Sequence, residues 1–146
     1  MRAFIKDLWP STVYMDQKTD YLIIAQLDNG MIVELFDHFN LNIKINTTID
    51  CLVVAFYVND INLVNFTKGH KRDKPIFTGR FIENYVIPES WWKCDEKLKS
   101  KTYPAVQTVN DILLLYFFEE PTDLNDSDII TFSEGRLDLL AWKPLE

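Results

Sequence analysis

The pattern of apolar and polar positions divides the chain into a succession of short β-segments. DYLIIAQL (20–27) and MIVELF (31–36) flank Asp28-Asn29-Gly30. An Asn-Gly pair supplies the two positive φ angles of a type I′ turn, so these segments are expected to form a β-hairpin. TIDCLVVAFYV (48–58) is β-branched, aromatic and almost continuously apolar, as a central strand covered on both faces would be. INLVNF (61–66), PIFTGRFIENYV (75–86) and DILLLYFF (111–118) follow. In the second of these Phe77, Gly79 and Phe81 share one face, and Gly79 marks a bulge or a close backbone approach. DIITF (128–132), the turn Ser133-Glu134-Gly135 and RLDLLAW (136–142) read as a second hairpin. In its last segment Leu137, Leu139 and Ala141 alternate with Asp138 and Leu140, and Gly135 takes the left-handed position.

Helical periodicity is confined to one stretch. Over 90–101, Ser90 is placed to cap, Trp91, Cys94 and Leu98 recur at i, i+3 and i+7, and Asp95 precedes Lys99 by four. The same spacing predicts that Trp91 is core while Trp92, turned about 100° away, is partly exposed. About eight strands and one short helix near 90–101 define an all-β, mainly antiparallel chain, folded as a small barrel or a β-sandwich. The strand, tight turn, strand, loop and long strand between 20 and 58 resemble the first three strands of an OB-fold. That resemblance is topological, covers about a quarter of the chain, and carries no function by itself.

At 146 residues the chain is expected to be one domain (1–146), burying roughly 65–70% of its unfolded surface. Its 47% hydrophobic content argues against disorder, and its four glycines against glycine-loop phosphate sites. Lys6 and Asp7 interrupt the apolar stretch a signal peptide would need, and the longest apolar run is of strand length. A soluble, cytoplasmic protein is therefore expected. Cys51 and Cys94 offer neither a disulfide framework nor a zinc spacing, and the three Asn-x-Ser/Thr sequons carry little meaning without a secretion signal.

Charge changes the picture more. The net charge is −7, yet residues 68–101 hold nine Lys/Arg against five acids, while the remainder holds six against seventeen. The basic loop KGHKRDK (68–74) and the acidic run EEPTDLNDSD (119–128) are the extremes. A lysine-rich tip also guards strands against edge pairing, and Asp and Asn are ordinary turn residues. As binding surfaces, the candidates are Trp92 and Lys93 on the capping segment, His70, Lys71 and Arg72 in the basic loop, and Glu119, Glu120 and Asp123 in the acidic run. A sequence pI near 4.8 disfavours nucleic acid.

Chemistry is sparse. His38 follows Asp37 at a strand end, but adjacency in sequence does not make a dyad; His70 sits in the basic loop. No GxSxG, HExxH, P-loop or dinucleotide pattern occurs, no ligand set for a metal is spaced along the chain, and Cys94 has no local sign of being a nucleophile. Neither a catalytic residue nor a cofactor is expected. The leading expectation is a non-enzymatic interaction domain, an acidic β-barrel that masks a basic partner protein in the way bacterial immunity proteins mask toxins. The alternatives are an OB-like barrel that binds a small molecule, oligosaccharide or single strand through stacked aromatics, and an enzyme of unrecognised type.

Overall fold

Alternation begins at the first residues of the chain: Ala3 and Ile5 are buried, while Arg2, Phe4 and Lys6 are exposed. In this computed structural model, residues 1–14, 17–38, 42–56, 59–63, 77–108, 111–117, 123–133 and 136–145 are described, with backbone alone for 11–14, 17–19, 59–63 and 133. Among the described residues ten strands follow one another: β1 (Arg2–Tyr14), β2 (Gln17–Leu27), β3 (Ile32–Asp37), β4 (Thr48–Phe56), β5 (Asn59–Leu63), β6 (Phe77–Val86), β7 (Thr102–Gln107), β8 (Ile112–Leu115), β9 (Ile129–Ser133) and β10 (Arg136–Pro144). They divide between two compact units, one of Met1–Val54 with Arg136–Glu146 and one of Ala55–Gly135.

The first unit is a closed barrel. Its strand order is β1-β2-β3-β10-β4, and β4 pairs back onto β1. β1–β2, β2–β3 and β1–β4 are antiparallel, whereas β3 and β10 run parallel with Leu35 opposite Leu137. A meander whose third strand lies parallel to the last, closed by the first and fourth, is the strand plan of an OB barrel. The likeness in 20–58 is offset by one: those segments are the second, third and fourth barrel strands, and β1 precedes them. Ala3, Ile5, Ile23, Ala25, Leu35, Ile49, Leu137 and Leu139 fill the interior at no more than 2% exposure. A register shift between Ile5 and Asp7 marks a bulge at Lys6. It resets the alternation, so that Leu8, opposite the buried Ile23, faces inward and Trp9 faces out.

The hairpin at 28–30 forms with a different turn from the one expected. Gly30, at φ 85°, is the turn residue with positive φ, and its N–H donates to the Leu27 carbonyl while Leu27 N–H donates to Met31. This is a three-residue loop ending in a left-handed bulge residue, which needs one positive φ instead of two. Asn29 takes another part: its Oδ1 accepts from Met31 N–H at 2.9 Å.

The second unit is an antiparallel sheet in the order β8-β7-β6-β9-β5. Ala55, at the end of β4, accepts a backbone bond from Tyr116. Phe77 and Phe132 stack at 5.6 Å in its interior. Gly79 is a close backbone approach, as one of the two expected readings had it, because a Cβ there would meet the backbone of Gln107 on β7. The β6 bulge lies further on, at 83–84, opposite Pro104, which has no N–H to give the ladder.

Two further expectations are corrected. β9 and β10 do not form a hairpin: β9 lies between β6 and β5, and β10 between β3 and β4, and Glu134 and Gly135 of the expected turn lie outside the described residues. The helix expected over 90–101 is instead two 3₁₀ turns, Glu89–Trp91 and Glu96–Leu98. Asp95 separates them, in an extended conformation, with its side chain accepting from Lys97 N–H. An aspartate that bonds nearby backbone in this way favours a cap over a helix interior. Ser90 lies inside the first turn, and Pro88 occupies the cap position. Trp91 and Leu98 are buried, while Cys94, on the face expected to join them, is exposed. Among the described residues no helix is long and apolar enough to cross a membrane.

Candidate functional site

Of the residues singled out by sequence, only Trp92, Lys93 and Asp123 are among the described residues. His70, Lys71, Arg72, Glu119 and Glu120 lie outside the described residues, and Asp123 is exposed on the segment that leads into β9. Trp92 is half-buried and Lys93 exposed. The Trp92 indole donates to the Ile87 carbonyl at 3.1 Å and carries the Lys99 ammonium 5.8 Å from its ring centroid. Its polar atom is thus engaged in pinning the capping segment to the end of β6.

The barrel offers a better-built surface on the outer side of β1, β2, β3 and β10. Cross-strand registers place its side chains in rows: Phe4, Gln26 and Ile32; Asp7, Ile24 and Glu34; Trp9, Leu22, Phe36 and Asp138; beyond them Asp20 and His38 lie 3.6 Å apart. The Trp9 row crosses four strands, about 14 Å at the usual strand spacing. Trp9 is 58% exposed and Ile32 45%. Leu22, Ile24 and Phe36 are half-buried between them.

Each end of the Trp9 row is fixed by polar contacts between residues two apart, which in a strand share a face. At one end Asp7 Oδ2 accepts the Trp9 indole N–H at 2.6 Å, and Asp7 Oδ1 accepts Leu8 N–H. At the other, Arg136 grips Asp138 with Nε at 2.6 Å and Nη2 at 2.9 Å, a bidentate pair. Asp138 is 5% exposed. His38 Nε2 lies 3.2 Å from Asp138 Oδ2, and His38 Nδ1 lies 3.6 Å from Asp20. Phe36 packs against this second end, where His38 stacks on its ring at 5.7 Å and the Arg136 guanidinium lies 5.6 Å from its centroid.

Sequence reasoning passed over these residues, although the signal was present. Asp7-x-Trp9, Phe36-x-His38 and Arg136-x-Asp138 are three pairs at strand spacing, each putting complementary groups on one face. The partners of His38 are Asp20 and Asp138, brought to it from β2 and β10 by the barrel closure. Asp37, its neighbour in sequence, points the other way and is buried. No group of three or more His, Cys, Asp or Glu side chains suited to a metal ion occurs among the described residues.

Comparison with protein-family models, with curated proteins and with solved structures finds no match. The fold and the face define the class: a small OB-like β-barrel with an antiparallel sheet unit inserted between its fourth and fifth strands.

Proposed function

We propose that the chain is a non-catalytic interaction module that docks a basic partner protein on the outer face of β1–β3. The observation that carries this reading is Trp9, a large aromatic held outward by a carboxylate. Core packing does not account for it, and a pre-set aromatic loses little freedom on binding, which is how interface hot spots gain their strength. Leu22, Ile24, Phe36 and Ile32 supply the apolar centre that such a contact buries. Asp7, Glu34 and Asp20 surround them with negative charge, and Arg136 is already paired. A cationic side chain stacked on Trp9 would gain from the indole and from these carboxylates together. The same charge repels phosphate, which sets single-stranded nucleic acid apart from the other ligands an OB barrel takes. The inserted unit enters where OB barrels carry the loop between strands four and five, one of the segments through which they meet ligands.

The test combines capture with one substitution. Cross-linking at low salt is expected to recover a basic protein in stoichiometric amount, in a complex that weakens as salt rises. Trp9→Ala is expected to weaken that complex by at least about tenfold while leaving the melting temperature nearly unchanged, since the side chain is mostly exposed. A partner held equally well by the variant would contradict the assignment of the face. So would binding to glycans with no basic protein recovered.

A further inference from the structure

We infer that His38 makes this docking face pH-sensitive, with a proton on its imidazole weakening the hold on a basic partner; the inference rests on the docking reading above. Among the described residues, the charged groups facing His38 are Asp20 from β2 and Asp138 with Arg136 from β10, while Phe36 of its own strand stacks on the ring. The side chains of His38, Asp20 and Arg136 are about one-third exposed, and that of Asp138 is 8% exposed.

A neutral imidazole donates from one nitrogen only. With Nε2–H directed to Asp138, Nδ1 turns a lone pair toward the Asp20 carboxylate. A protonated ring donates from both nitrogens and bridges β2 to β10 through β3. The face then changes in two ways. With His38 neutral, the carboxylates of Asp7, Asp20, Glu34 and Asp138 lend the face negative charge, and a proton on His38 offsets one of these charges. The Asp20 carboxylate, half-buried beside the apolar row, also becomes engaged by His38 and is less available to a partner's cation. Histidine is the side chain that ordinarily changes charge between about pH 5 and 8, a range in which an arginine-bearing partner keeps its own charge.

The experiment uses the full chain and a synthetic peptide alternating arginine with leucine, its affinity measured by calorimetry between about pH 8 and pH 5.5. One charge at this range in a water-exposed setting corresponds to a rise in Kd of about two- to threefold toward acid pH. His38→Gln, which does not titrate, is expected to give a flat profile. In the wild type the imidazole nitrogen signals, followed by NMR, are expected to move with the same midpoint as the affinity. Binding that keeps its pH dependence in His38→Gln, or that is pH-independent in the wild type, overturns the switch and leaves the docking reading standing. Failure of the peptide to bind at any pH removes both.

Discussion

Replacing Asp138 by alanine is expected to lower the unfolding free energy by about 3 kcal/mol. The carboxylate is 8% exposed and faces three nitrogens, two from Arg136 and one from His38. Deleting one member of a buried pair leaves the other without its counter-charge, which costs more than the pair contributes by forming. Arg136 is 31% exposed, so water offsets part of the loss and keeps the effect near the lower end of the range for buried pairs. Asp138→Asn retains the shape and one acceptor and is expected to lose about half as much. The double variant Arg136→Met with Asp138→Leu removes both charges from one face and is expected to recover most of the loss. Urea denaturation followed by tryptophan fluorescence reads all three. A loss below about 1 kcal/mol for Asp138→Ala would mean that the pair behaves as a surface salt bridge and does not organise this end of the barrel.

Gly79→Val is expected to cost a comparable amount, about 3 kcal/mol, in the second unit. A Cβ at this position would lie 2.6 Å from Val106 Cγ1 and press on the Gln107 carbonyl group. The side chain could rotate aside, but the backbone of β7 is held by its ladders to β6 and β8. Alanine alone is expected to cost about 2 kcal/mol, because the first carbon already makes the clash. The Arg80–Gln107 side-chain bond of 2.8 Å joins the same two strands and should be disturbed with them. Thermal unfolding by circular dichroism is the measurement. A variant that melts with the wild type would show that β6 and β7 are not held as closely as the register implies.

Much of the strand layout was legible because period-two burial writes itself into sequence. The segments 20–27 and 31–36 lie almost where the alternation and the turn between them place them, and the continuous apolarity of 48–58 matches β4, with residues 57 and 58 outside the described residues. β1 was hidden because Lys6 and Asp7 break its apolar pattern, and only the bulge at Lys6 shows how the alternation resumes. β7 was hidden by Pro104, which reads as a strand breaker until the bulge opposite it is seen. The supposed hairpin at 133–135 failed for a more general reason: local turn chemistry does not say which strands pair. Glycine after a polar pair suits a connection between separate elements as well as a tight hairpin. The candidate face escaped for the same cause, since Asp20, His38 and Asp138 are far apart in sequence and meet only when β10 closes the barrel beside β3.

The central claim is that the outer face of β1–β3 receives a partner. Amide and indole NMR signals, recorded while the captured partner or the arginine–leucine peptide is added, test it most directly. The account predicts that the Trp9 indole and the amides of 20–26 and 32–38 shift together and saturate at one equivalent of partner. Shifts confined to 77–133, with Trp9, Leu22 and Phe36 unmoved at saturation, would contradict it.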